Sequence, residues 1–137
     1  MEALLRRPLH KAETDALYIR YPFADLQAAV AGGDARTKGI QHALAEIMRQ
    51  GTVVEPAQVR PGDFVQYWIQ RKGGAWAGHS AIVTKVFTDA HGAAAIAIYS
   101  SNKSTNGIAE MNFGGKGLGI RGEDRRFYFV RFTGAAK

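Results

Sequence analysis

Cysteine is missing from all 137 residues. That absence excludes disulfides, thiolate zinc sites and any thiol nucleophile within the chain. No apolar run approaches the roughly 20 residues a membrane-spanning helix needs, so no membrane insertion is expected. The start, Met1-Glu2-Ala3-Leu4-Leu5-Arg6-Arg7, lacks the basic-then-apolar order of a secretion signal, so action in the periplasm or outside the cell would need another delivery route or a leader outside these residues. None of His10, His42, His79 and His91 has a partner at metal-ligand spacing, and no metal or other cofactor is expected. Acidic residues are outnumbered, 12 against 18 basic ones, for a formal charge of +6. This favours anionic partners, yet the basic residues fall in scattered pairs such as Arg71-Lys72 and Arg125-Arg126. Nucleic acid, which usually meets a concentrated basic stripe, is therefore not favoured.

What is present suits one domain over residues 1–137, with a helical half (1–51) followed by a sheet half (52–137). That order predicts an α+β fold, N-terminal helices packed on an antiparallel four- to five-stranded sheet. Met1 to Arg7 reads as an uncapped helix stopped by Pro8, and Ala24 to Ala31 as a short helix ending at Gly32-Gly33. Thr37 to Gln50 carries Ile40, Ala43, Leu44, Ile47 and Met48 at helical spacing, closed by Gly51. Strands are expected over Asp63–Gln70, Ser80–Thr88 and Ala93–Ser101, the last two joined by a turn at Asp89-Ala90-His91-Gly92. Lys103 to Gly122, rich in glycine, reads as irregular, Arg126 to Phe132 as a final strand, and the tail after Thr133 as frayed.

One histidine stands apart. On a strand opening at Gly78-His79, alternation puts His79 on a face with Ala81 and Val83, while Ser80, Ile82 and Thr84 point the other way. The small residues Gly78 and Ala81 leave room for a substrate to approach an imidazole whose ordinary pKa, about 6.5, suits acid–base work. On the following strand Ser100 and Asn102 share a face, and either can fix the imidazole tautomer, Asn102 with the longer reach. Trp76 is the candidate groove residue. Ser80 and Ser101 sit at neither a helix N-terminus nor a Gly-x-Ser-x-Gly elbow, and Gly114-Gly115-Lys116-Gly117-Leu118-Gly119 lacks the ending of a phosphate loop.

Pro61-Gly62-Asp63-Phe64-Val65, a strand, a glycine-rich gap with an aromatic, then Gly78-His79-Ser80-Ala81-Ile82-Val83, a hairpin and a polar cluster resemble the C-terminal half of the NlpC-like and CHAP-like cysteine amidohydrolases. The resemblance covers about residues 56 to 106. It implies a papain-like fold and hydrolysis of peptide or amide bonds in peptidoglycan. It also implies that His79 pairs with a cysteine at a helix N-terminus and that Asn102 or Ser100 orients the histidine, with Trp76 and Gly78 beside the substrate. Nothing here matches the cysteine, so these residues are expected to be inactive, and the Met1 helix would be the remainder of the nucleophile helix, its cysteine just upstream. The alternative expectation is a non-catalytic SH3-like small barrel, suggested by Arg60-Pro61-Gly62-Asp63-Phe64-Val65 and short strands, that binds an anionic wall polymer or nucleic acid.

Overall fold

The computed structural model describes residues 7–88, 92, 94–102, 107–113 and 123–134, with the backbone course alone for 100–102 and 107–113. Six strands build one antiparallel sheet: β1 (Gly51–Val54), β2 (Phe64–Gln70), β3 (Trp76–Thr88), β4 (Ala94–Asn102), β5 (Gly107–Phe113) and β6 (Arg125–Phe132). Their order is β1-β6-β2-β3-β4-β5. Before them come α1 (Lys11–Tyr18), α2 (Leu26–Ala31) and α3, which is α-helical over Ile40–His42 and continues as a π turn over Ala43–Ile47. The α+β class and the helices-then-sheet order agree with the sequence. The sheet is wider than the four or five strands expected.

Helix α1 was not foreseen, because its cap is not a Ser, Thr, Asp or Asn. Instead the Glu13 carboxylate accepts the His10 backbone N–H at 2.8 Å, the reciprocal arm of a capping box. Arg7 clamps the same carboxylate with two bonds of 2.7 and 2.6 Å. Those bonds, with the His10 amide, hold the Glu13 pKa at about 2. The helix ends where Ile19 takes the left-handed conformation, φ +57°.

The single helix expected over Thr37–Gln50 is corrected. Gly39 has φ +51°, and a Cβ there would run into the Gln66 side-chain amide, so the helix starts only at Ile40. Ile40, Ala43 and Leu44 are buried as read from their spacing. The π turn then adds a residue to the repeat and rotates Ile47 off the stripe, leaving it 40% exposed. Arg49, at φ +55°, ends the segment, and Gly51 belongs to β1 instead of closing the helix.

Alternation divides the sheet into two faces. On the outer face α1 and α3 bury Ala16, Leu17, Ile40, Ala43 and Leu44 against Val130, and Val30 of α2 packs with Trp68 and Trp76. The inner face is formed by Val65 and Tyr67 of β2, Ala81 and Val83 of β3, Ile96 and Ile98 of β4 and Phe129 of β6. Among the described residues only Val54 and Val59 join them from beyond these four strands.

Two further expectations change. The segment 103–122 contains β5, paired with β4 from Asn102↔Gly107 to Ile96↔Phe113. A buried central β4 needs partners for its backbone groups on both edges, and that demand outweighs the glycine-rich composition. Strand β1, likewise unforeseen, pairs with β6. The Met1 helix, the tip of the β3–β4 turn and the end of the tail lie outside the described residues.

Candidate functional site

The Pro-Gly-Asp turn fixes where β3 begins its work. Gly62, at φ +95°, donates its N–H to the Val83 carbonyl at 2.7 Å, and Val83 donates to the Asp63 carbonyl at 2.8 Å. The buried Asp63 carboxylate accepts the Arg60 amide at 2.8 Å and two Arg131 bonds at 2.8 and 2.9 Å. Asp63 is thus a structural anchor joining the start of β2 to the end of β6, and it takes no part in the site chemistry.

From this anchor β3 runs back along β2 in the register Tyr67↔His79 and Trp68↔Gly78. Tyr67 also lies opposite Phe127 of β6. The result is an aromatic row across three strands, Phe127 stacked on Tyr67 at 5.8 Å and Tyr67 against the His79 ring at 5.9 Å. His79 ends this row on the inner face, exposed to solvent, in line with Ala81 and Val83 as alternation requires. Partial burial, and secondarily the charge of Arg71, hold its pKa below the ordinary 6.5. At neutral pH the imidazole is uncharged and able to accept a proton.

Asn102 and Ser100 stand on β4, which pairs with β3 from Thr88↔Ala94 to Ile82↔Tyr99 and no further. The ladder stops three residues short of His79, and Ser100 and Asn102 are paired with Ala109 and Gly107 of β5. Ser80, one residue from His79, belongs to the outer face, so its hydroxyl and the imidazole lie on opposite sides of the strand.

Gly78 and Trp76 have other neighbours than a substrate. A Cβ on Gly78 would lie 2.6 Å from Trp68 ring carbons, so glycine is required by the indole that covers it. Trp68 is in turn pinned by its Nε1–H to the Thr37 carbonyl at 2.9 Å. Trp76, expected in the groove, is only 7% exposed. It packs on Val30 and Trp68, with the Arg126 guanidinium 4.7 Å from its ring centre, so its stacking surface is occupied. The sequence could not show that covering, which comes from residues some 50 positions away.

A cleft of about 310 Å³ borders the same stretch of β3. Leu17, Tyr18, Ile19 and Leu26 form its helical wall, and Gln66, Trp68, Gly78, His79 and Ser80 its sheet wall. Arg71, which helps shape the environment of His79, was missed by sequence reasoning, whereas Tyr67 takes the cross-strand role favoured for strand aromatics. Among the described residues no cluster of His, Asp or Glu fits a metal ion, and no helix is long and apolar enough to cross a membrane. No family model matches the chain, and no curated protein or solved structure matches it either.

Proposed function

We propose that the chain is a papain-like domain related to the NlpC-like and CHAP-like amidohydrolases, with His79 as its acid–base group and Asn102, or Ser100, as the residue that orients it. Its substrate class is a peptide or amide of cell-wall peptidoglycan. The observation carrying this reading is the in-register row Phe127–Tyr67–His79, which ends in an accessible, neutral imidazole. Such a group can deprotonate a nucleophile and return the proton to a leaving amine. The 137 residues contain no thiol for it to activate, and Ser80 faces away. The activity of these residues alone is therefore to hold a stem peptide without cleaving it.

Calorimetric titration with a soluble stem peptide tests this. Binding without cleavage is expected, weakened roughly tenfold in His79→Ala through loss of hydrogen bonding and contact. A second reading, an anionic-polymer surface on a small barrel, is supported by Arg126 over Trp76 and Lys38 over Tyr128, the latter at 5.5 Å. Binding that falls steeply with salt and ignores His79→Ala would favour this second reading.

A further inference from the structure

Strand β1 ends the sheet on the side away from His79. Thr133 donates its N–H to the Gln50 carbonyl at 2.9 Å, so in the β1–β6 register Thr52 and Val54 are the positions bonded to β6. Gly51 and Val53 alternate with them and direct both backbone groups to the outer edge. Among the described residues no strand pairs with that edge, and Val53 makes no hydrogen bond on it. The Val53 side chain is 47% exposed beside it.

Helix α3 crosses above this edge at a slant. It meets β2 and β6 with Ile40–His42, and β1 and β6 with Ala43–Ile47. Its N-terminal half therefore stands back from the edge, and its C-terminal half reaches it. A notch of about 310 Å³ lies between helix and strand, running from Lys38 past His42 to Glu46, with Val53 on the strand side. Lys38 rests near the Tyr128 ring at 5.5 Å, and neither it nor Glu46 has an ion-pair partner among the described residues.

We propose that this edge and notch bind a second copy of the chain about a two-fold axis at Val53. Antiparallel pairing of β1 with the same strand of the partner satisfies the Val53 N–H and C=O of both copies and covers both exposed valines. The same rotation turns the projecting half of each α3 towards the recessed half of the other. Glu46 of each copy then meets Lys38 of the other, two opposite-charge contacts made by one patch, as an isologous interface requires. Pro56, without an N–H, limits the shared ladder to a few residues, so the association is reversible. Nothing in this contact uses His79, so it stands independently of the hydrolase-like reading.

Sedimentation equilibrium of the 137-residue chain up to millimolar concentration tests the proposal. A monomer–dimer equilibrium is expected, and a monomer throughout would overturn it. Val53→Pro removes an edge N–H that takes no part in the β1–β6 ladder, so it should weaken the dimer about tenfold while leaving the circular dichroism unchanged. Unchanged dimerisation in Val53→Pro would place the contact elsewhere and overturn the proposal. The charge pattern is tested by mixing. Lys38→Glu alone and Glu46→Lys alone each set like charges together across the axis, and both should dimerise about tenfold more weakly than the parent. An equimolar mixture of the two restores opposite charges at both contacts and should form a heterodimer. A mixture no more associated than its separate components would overturn the proposed pairing, even where Val53→Pro fails to fold.

Discussion

Strand β3 exchanges partners at Ile82. From Trp76 to Ile82 it is paired with β2, and from Ile82 to Thr88 with β4, across an irregularity between Val83 and Lys85. In the second half Val83 is buried against Ile96 and Ile98, while Val86 and Phe87 are exposed. The first half has the Gln27 side chain bonded to the Trp76 backbone and carries the exposed His79. Both halves reach the core, through Ala81 in the first and Val83 in the second, and the Pro-Gly-Asp turn bonds to the strand at the exchange.

Breaking that joint should have the largest effect. Asp63→Ala leaves the Arg131 guanidinium and the Arg60 amide without their acceptor and should lower the thermal midpoint by about 10 °C, as expected for losing a largely buried charged pair. Scanning calorimetry decides it, and a drop of a degree or two would mean the turn is not the anchor. Gly78→Ala comes next. Its methyl must displace the Trp68 indole and strain the bond to Thr37, at about 2 kcal/mol. Urea unfolding measures the loss, and a variant as stable as the parent would show that Trp68 can move freely.

How far these features could be read from sequence differs along the chain. Strands β2, β3, β4 and β6 announce themselves through alternating β-branched and aromatic residues, and the division of Ala81 and Val83 from Ile82 follows from period two. The face of His79 was legible for the same reason. Strand β5 was hidden because glycine and asparagine flank its short run, and its place depends on the needs of β4, which no local pattern records. Helix α1 escaped because its cap is assembled from His10, Glu13 and Arg7 instead of one polar side chain. The late start of α3 at Ile40 and the covering of Trp76 involve the distant Gln66, Val30 and Arg126, and the pairing of Gln27 with Trp76 spans 49 positions.

Acid should distinguish the helical layer from β3. Glu13 titrates at about 2 in the fold against an ordinary 4.5, so its contribution is complete above pH 4.5 and is lost as pH falls towards 2. Stability measured across that window should decline, and Glu13→Gln should flatten the decline. An unaltered acid profile in the variant would mean that the Arg7 clamp adds nothing. His79 gives the smallest effect and the finest probe. With its folded pKa below 6.5, folding disfavours its protonation, so a small part of stability is lost as pH falls below 6.5. Proton NMR should find the His79 midpoint below the ordinary value, and Arg71→Ala should raise it while partial burial still keeps it low. A midpoint above 6.5 would contradict the neutral imidazole.

The most direct test of a peptide site beside His79 on β3 is a stem-peptide titration monitored simultaneously at the His79 imidazole and the Gly78 amide. Both resonances should move and saturate with one dissociation constant, while those of Val83 and Ile98 in the core stay in place. Tight binding that leaves His79 and Gly78 unmoved would contradict the assignment of function to this half of the strand.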